Sequence, residues 1–193
     1  MTEPSVVVAS LLGLEEAQVA LAQALDQTAW DGRMRARKTA SFGLPYDYSG
    51  MTYPPAPWPG WLLGLRTRLE AATGCRFTNC LANLYPTGAS TMGFHFDSFA
   101  NLQAGSVVAV VSLGSPRTLR FRLQRERSRW VDHRLHSGAL LTMGKQVQDD
   151  WHHAVLEEPG TGPRVSLTFR HILPTSTTSA QAQVSSAEPG VRI

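Results

Sequence analysis

The sequence has little cysteine and no long apolar run, and these two absences exclude several classes of protein. Cys75 and Cys80 are the only two cysteines among 193 residues, too few for a disulfide framework, so we expect both thiols to be reduced. No stretch approaches the roughly 18 consecutive apolar residues that can span a bilayer, and no basic-then-apolar leader opens the chain. We therefore expect a protein that does not enter a membrane.

Charge of one sign is not in large excess either, since 18 Lys and Arg face 15 Asp and Glu for a net charge of +3. The length predicts one domain over residues 1–174, with enough chain to bury a core. Residues 175–193 are small and polar with few core formers, which is typical of a disordered tail. We expect a monomer.

Helices are expected near the N-terminus and strands after them. An alanine-rich helix is predicted over 14–26, with Leu14, Leu21 and Leu25 on its apolar stripe, and a second over 61–73 that ends at Gly74. Residues 44–60, rich in Pro, Gly and Tyr, are expected to form an irregular loop. Strands are predicted at 5–9, 77–85, 106–113, 118–123, 129–135, 139–143, 151–156 and 164–172. This order predicts an α+β or mainly β fold with a jelly-roll core and N-terminal supporting helices.

The motif His95-Phe96-Asp97, followed downstream by His153, is the strongest chemical signal. In an extended strand, side chains two apart share a face, so His95 and Asp97 can converge on one cation while Phe96 points away. A third ligand from a distant strand completes a two-histidine, one-carboxylate site with open positions, the geometry of non-haem Fe(II) oxygenases. Trp151-His152-His153 offers two adjacent candidates, of which only one can face the metal.

The segment 164–170 alternates strictly between polar and apolar residues. This pattern predicts a half-buried strand with Val165, Leu167 and Phe169 on the core face. Arg164, Ser166, Thr168 and Arg170 share the other face. Two guanidinium groups and two hydroxyls that look into a barrel are suited to bind a carboxylate.

From about residue 37 to 173 the chain resembles the AlkB family of Fe(II)/2-oxoglutarate-dependent dioxygenases. The motifs that carry the resemblance occur in the family's order: Arg37–Gly43, Tyr48–Gly50, Asn83–Tyr85, His95–Asp97, Val111–Gly114, Ser137–Met143, Trp151–His153 and the arginine strand. The resemblance implies a double-stranded β-helix and selects His153 over His152 as the third iron ligand. It also implies an enzyme that uses Fe(II), 2-oxoglutarate and O₂. Such an enzyme needs a reducing compartment, so we expect it in the cytoplasm.

The resemblance also implies roles around the metal. Arg164 would bind the distal carboxylate of 2-oxoglutarate, Ser166 would share its face, and Arg170 would sit near Asp97. Asn83 and Tyr85 would hydrogen-bond the cosubstrate, and they lie two apart on one strand, so they share a face. Candidate substrate-binding residues are Phe99, Tyr48 and Arg37.

The family's repair members oxidatively demethylate N-alkylated nucleobases, and this is the leading expectation for the substrate, as a single strand or a flipped base. Two departures favour a tailoring hydroxylase of a small molecule or nucleoside instead. Phe99 stands where those members carry an acid that contacts the base, and the loop 156–163 carries Glu157 and Glu158 where they carry a basic loop. Seven of the sixteen arginines fall between Arg117 and Arg134, a predicted hairpin that could grip phosphates or be an ordinary solvated face.

Overall fold

A computed structural model describes residues 3–48 and 50–174, which form two facing antiparallel sheets with helices behind one of them. The elements in chain order are β1 (Val6–Ser10), α1 (Leu14–Gln27), β2 (Lys38–Gly43), β3 (Tyr46–Tyr48), β4 (Met51–Tyr53), α2 (Gly60–Thr73), β5 (Asn79–Tyr85), β6 (Met92–His95), β7 (Val108–Gly114), β8 (Arg117–Leu123), β9 (Trp130–Leu135), β10 (Ala139–Met143), α3 (Lys145–Asp150), β11 (Trp151–Val155) and β12 (Arg164–Arg170). Within these ranges no helix has both the length and the apolarity needed to cross a bilayer.

The larger sheet has six strands in the order β1-β10-β7-β12-β5-β2, and the smaller has four in the order β6-β11-β8-β9. β12 is central in the larger sheet and pairs with β7 on one side and β5 on the other. All the strand pairs between these elements are antiparallel, as a jelly roll requires. The predicted fold class is confirmed.

The helices cover the outer face of the larger sheet, but they do so through a different stripe of α1 than the sequence suggests. Leu14 and Leu25 are exposed, whereas Ala17 and Ala24 are completely buried against the sheet. The stripe predicted through Leu14, Leu21 and Leu25 was therefore wrong except at Leu21, which is partly buried. Alanine at the contact lets the helix axis approach the sheet closely, and this outweighs the larger area that leucine would bury.

The alternation of β12 separates two apolar cores. Val165, Leu167 and Phe169 join the core beneath the helices, while Arg164 and Arg170 face the space between the sheets. Every residue of β12 is buried, so the strand is not half-buried as the alternation suggested. The polar face is covered by the smaller sheet, whose Leu119, Phe121, Leu123, Trp151 and Val155 line the core between the sheets.

Other boundaries agree to within a few residues, with four exceptions. One is β6, which no predicted strand range covers and which only the His95–Asp97 motif implied. The region 44–60, predicted as an irregular loop, contains the hairpin of β3 and β4. β2 and the short helix α3 were not predicted either, and each is too short or too polar to give a periodic signal. α2 ends as predicted at Gly74, whose positive φ of 67° places it in the left-handed region while its N–H donates to the carbonyl of Glu70.

A β-bulge shapes β6. His95 lies opposite His153 and Met92 lies opposite Val155, so three steps along β6 match two along β11. The extra residue allows both Met92 and His95 to face the space between the sheets, although their spacing is odd. Asp97 lies beyond the end of β6, so the prediction that His95 and Asp97 share one extended strand was wrong in detail.

Candidate metal and cosubstrate site

His95, Asp97 and His153 form a cluster in the space between the sheets. The two histidines are direct partners across β6 and β11, and their ring centroids are 4.3 Å apart. One ligating atom from each of the three residues lies within 4.8 Å of the others. His153 and Asp97 are buried and His95 is partly exposed. Two nitrogens and one carboxylate oxygen at such distances could bind one divalent metal ion.

Asp97 is held from two sides. Arg170 donates a hydrogen bond from Nη2 to Oδ1 of Asp97, and the backbone N–H of Asp97 donates to Oε1 of Gln148 at 2.9 Å. Burial would raise the pKa of Asp97, but the charge of Arg170, with a smaller contribution from its interactions with the two histidines, lowers it to about 2. The carboxylate is therefore ionised and fixed in orientation before any metal binds.

Each of the two histidines turns one ring nitrogen towards the cluster. Nδ1 of His95 lies 2.8 Å from the carbonyl of Gly93, so it must be the protonated nitrogen and Nε2 carries the lone pair. Nε2 of His153 faces Asp97 Oδ2 at 3.6 Å. Burial lowers the pKa of His153 to about 3, so its ring stays neutral at physiological pH. His152 points outward, away from the cluster, and stacks on Phe96.

Arg164 occupies the same cavity, and no acidic side chain among residues 3–48 and 50–174 forms an ion pair with it. It is 1 % exposed, its Nε donates to Oγ of Ser112 at 2.9 Å, and its guanidinium lies 5.2 Å from the centroid of the Tyr85 ring. In the described part of the chain, no hydrogen-bond partner reaches its buried Nη1. Burial lowers the pKa of Arg164. A buried guanidinium with an unpaired donor is costly unless an anion completes it.

The remaining residues predicted to bind the cosubstrate also lie here. Asn83, Tyr85 and Ser166 line the cavity together with the metal cluster and Arg164. Arg37 is buried behind Asn83, and its Nε donates to Oδ1 of Asn83 at 2.8 Å. The parity prediction for Asn83 and Tyr85 is thus consistent with their shared position on the inner face of β5.

The predicted substrate-binding residue Phe99 does not line this cavity. The ring of Phe99 packs against the core between the sheets, on the side of a separate surface depression that Lys145 and Gln148 line. The side chain of Tyr48 lies outside the described residues. The predicted tail, residues 175–193, lies outside them as well.

Two residues of the site were not found from the sequence. Ser112 is a hydroxyl in the otherwise apolar strand β7, and that contrast was a usable signal. Gln148 belongs to α3, for which the sequence gave no signal, and it is 3 % exposed. Both hold a charged group of the cavity in place, Ser112 the guanidinium of Arg164 and Gln148 the backbone of Asp97.

The arginine hairpin of β8 and β9 is confirmed, but Arg117 does not belong to its surface. Arg117 is completely buried and donates to the carbonyls of Thr87, Ser90 and Leu156, so it cannot contact a phosphate. Glu158 of the acidic loop accepts a hydrogen bond from Arg134 at 2.7 Å. One of the two acids of this loop is therefore paired within the protein, and its charge should repel a phosphate group less than the sequence suggested.

Fold and site together define a class of protein: a jelly-roll metalloprotein whose two-histidine, one-carboxylate cluster shares a cavity with a buried arginine. The unpaired donor of Arg164 and the neutral histidine rings fit an iron ion with a dicarboxylate cosubstrate.

Comparisons with known proteins agree. The profile of the 2OG-Fe(II) oxygenase superfamily matches residues 10–170, and the chain belongs to this superfamily. The "DNA oxidative demethylase ALKBH2" of Bos taurus is 36% identical over 151 residues, which cover 72% of this chain and 54% of the relative. The "Alpha-ketoglutarate-dependent dioxygenase alkB homolog 3" of Homo sapiens is 33% identical over 181 residues, covering 83% and 63%. The resemblance to AlkB proteins is confirmed.

A solved structure, that of OsALKBH1, superimposes with a TM-score of 0.65 at 17% identity and covers 88% of this chain and 99% of its own. At this identity the likeness supports the fold alone. The chain spans 54% and 63% of the length of the two relatives above, which is less than two thirds of either.

Proposed function

We propose that this protein is an Fe(II)/2-oxoglutarate-dependent dioxygenase that oxidatively demethylates N-alkylated nucleobases. The observation that carries the proposal is one cavity in which His95, Asp97 and His153 converge and Arg164 offers an unpaired buried donor. The names of the relatives, a DNA oxidative demethylase and an alkB homolog, support the substrate class.

In this proposal His95, Asp97 and His153 hold Fe(II), and Arg164 binds the distal carboxylate of 2-oxoglutarate. With 2-oxoglutarate and O₂, the bound iron supplies oxidation of an unreactive C–H bond, with succinate and CO₂ as co-products. An N-methyl group hydroxylated in this way leaves as formaldehyde. The protein's own contribution is to place the groups that react and to keep water and competing donors away.

The chain's residues do this through fixed charges and hydrogen bonds. Arg170 keeps Asp97 ionised and turned towards the histidines. Ser112 holds Nε of Arg164, and the unpartnered Nη1 is left to donate to a carboxylate. Asn83 is held by Arg37, which orients its amide for the cosubstrate. Preorganised donors of this kind cost no rearrangement when the ligand binds.

For the substrate we propose a methylated base in a single strand or flipped out of a duplex. Arg37, Tyr48 and Phe99 remain candidate substrate contacts. The acidic loop weighs less against nucleic acid than its composition suggested, because Glu158 is paired with Arg134. The proposed enzyme acts as a monomer in the cytoplasm, which size-exclusion chromatography and cell fractionation would test.

A second candidate is a tailoring hydroxylase of a small molecule or nucleoside. The observation in its favour is Phe99, two positions after Asp97, since a phenyl ring cannot accept a hydrogen bond from the amino group of a base. If an unpaired base edge costs roughly 1–3 kcal/mol, Phe99→Asp should improve the demethylation of 1-methyladenine and 3-methylcytosine about five- to a hundredfold.

The test is succinate and formaldehyde release from methylated single- and double-stranded DNA, methylated RNA and free methylated nucleosides. Wild type, Phe99→Asp and the metal-site variant His153→Ala are compared. Formaldehyde from an oligonucleotide with wild type, and none with His153→Ala, is the expected result. Turnover of nucleosides alone would establish the second candidate, and full turnover by His153→Ala would overturn the metal assignment.

A further inference from the structure

The outer face of the smaller sheet carries exposed aromatic rings. Of the large hydrophobic side chains that the described residues expose, the aromatic ones are Phe96, 54% exposed, and Trp130, 53% exposed. They lie near opposite edges of the smaller sheet, on the same face. Phe96 follows β6 at one edge, and Trp130 begins β9 at the other. An exposed tryptophan and an exposed phenylalanine on one face are typical of an interaction surface.

A continuous row of rings and one arginine joins them. Strand register aligns His152 of β11 with Arg122 of β8, and Arg122 with Trp130 of β9. At the other end His152 stacks on Phe96, with ring centroids 5.6 Å apart and planes 11° from parallel. The guanidinium of Arg122 lies 3.7 Å from the ring centroid of Phe94. These five side chains, Phe94, Phe96, His152, Arg122 and Trp130, are called the outer aromatic face.

Positive charge surrounds the outer aromatic face. Besides the buried Arg117, the hairpin of residues 117–135 has six arginines that are at least partly exposed, against two acids of its own, Glu126 and Asp132. Two of the six, Arg125 and Arg134, are paired with Asp150 and Glu158 from outside the hairpin. Asp132 is already paired with Arg120, at 2.7 and 2.6 Å. In the described ranges no carboxylate lies within ion-pair distance of Arg122 or Arg127. Flat rings interleaved with unpaired arginines match bases and phosphates better than they match an apolar protein surface.

The outer aromatic face also begins where the cavity opens. β6 is the edge strand of the smaller sheet, and it presents His95 inward and Phe94 outward. His95 is the partly exposed member of the metal cluster, so the cavity is accessible beside this edge. A chain that leaves the cavity there can continue across the four strands. They span about 14 Å at the usual strand spacing, which is about four stacked bases at 3.4 Å each.

We propose that the outer aromatic face binds single-stranded nucleic acid, namely the nucleotides that flank the base in the cavity. The bases stack on Trp130 and the ring pair of Phe96 and His152, and Arg122 contacts the backbone. The proposal deepens the proposed function, on which its link to the cavity rests, but the binding itself needs no reaction. It predicts a preference for single strands, because paired bases cannot stack on a flat protein face.

The test measures binding of unmodified oligothymidylate and of a duplex of equal length by the iron-loaded full chain, using fluorescence anisotropy. Trp130→Ala should weaken binding of the single strand by roughly five- to a hundredfold, and Trp130→Phe should restore most of it. Arg122→Ala should reduce the slope of log affinity against log salt by about 0.7, the value for one phosphate contact on a single strand.

The matched control for charge is Arg68→Ala, since Arg68 is an exposed arginine on α2, behind the larger sheet, paired with Glu16. It should leave both the affinity and the salt slope unchanged. Trp130 and Arg122 are not part of the cavity, so turnover of a methylated mononucleotide should be the same in wild type and both variants.

Equal affinities of wild type and Trp130→Ala for the single strand would overturn the proposal. So would stronger binding of the duplex, or a dimer that Trp130→Ala dissociates without any loss of oligonucleotide binding. If the single strand binds through Trp130 but no methylated oligonucleotide is demethylated, the proposed function fails while this surface stands.

Discussion

Two arginines on one face of β12 have opposite surroundings. Arg170 and Arg164 are 2 % and 1 % exposed, and both face the cavity between the sheets. Arg170 is bonded to Asp97, and although burial opposes it, this partner raises the pKa of Arg170. Arg164 contacts a serine and an aromatic ring, no carboxylate of the described residues pairs with it, and burial lowers its pKa. The first arginine has a charged partner within the protein, whereas the second keeps a buried Nη1 without a hydrogen-bond partner among the described residues and is the one we propose to bind a ligand.

The largest expected effect is that of Asp97→Asn on iron binding and activity. This substitution removes the negative charge beside Arg170, so that Arg170, like Arg164, has no carboxylate partner. The variant keeps the shape of the side chain, but the proposed iron ion would then have two neutral histidine ligands and no anionic ligand from the protein. Bound iron should be largely lost, and succinate formation should fall by more than the 10–100-fold that changes outside the ligand set typically cost. Metal analysis of the purified chain and a succinate assay measure both. Stoichiometric iron in the variant would contradict the role of Asp97.

The next largest effect is a difference in the free energy of unfolding between variants of the two arginines. In metal-free protein, Arg170→Met leaves Asp97 buried without a counter-charge and should cost about 3–5 kcal/mol of unfolding free energy. The matched variant Arg164→Met removes a charge that has no carboxylate partner, so it should be neutral or stabilising. Urea denaturation of both variants and wild type gives the comparison. Equal losses in the two variants would show that Arg164 has a structural role too.

Arg164→Lys tests whether Arg164, the arginine without a carboxylate partner among the described residues, binds 2-oxoglutarate. Lysine keeps the positive charge but lacks the fork that matches a carboxylate, so KM for 2-oxoglutarate should rise by about tenfold or more. kcat should change less, because the change removes binding rather than a contact made only in the transition state. Steady-state kinetics with varied 2-oxoglutarate measures this. An unchanged KM would mean that the cosubstrate binds elsewhere.

The smallest effect is expected at Ser112. Ser112→Ala removes the acceptor for Nε of Arg164, a hydrogen bond that orients the guanidinium and does not touch the cosubstrate, so only part of the about 1.5–3 kcal/mol typical of a bond to a charged group should appear in binding. KM for 2-oxoglutarate should rise roughly threefold to tenfold. Ser112→Thr keeps the hydroxyl and should keep the affinity for 2-oxoglutarate close to that of wild type. If Ser112 served only to fill space, the hydroxyl would not matter and KM would not distinguish the two variants.

Much of this arrangement could be predicted, because alternation is a local property. The period of two in β12 assigned Val165 and Arg164 to opposite faces, and the structure agrees. The sequence could not predict the bulge in β6, since one extra residue leaves no trace in composition and changes which residues face inward. Nor could it predict that Ala17 rather than Leu14 would be buried, because that depends on how closely the helix approaches the sheet.

Long-range contacts were the other limit. The burial of Arg117 and the pairing of Glu158 with Arg134 join segments that are far apart in the chain, and a count of charges treats these residues as exposed. Gln148 reaches Asp97 across 51 positions. The prediction therefore succeeded for residues whose role follows from their neighbours in sequence, and failed where a distant partner decides it.

The buried guanidinium of Arg117 has a consequence for motion. It joins the loop that precedes β6, through the carbonyls of Thr87 and Ser90, to the loop that follows β11, through the carbonyl of Leu156. Neither loop can open without breaking a charge-assisted bond that water cannot replace inside the fold. The two loops should therefore open together as a single cooperative unit, and hydrogen exchange of their protected amides should give one common opening free energy, even though about 70 residues of chain separate them.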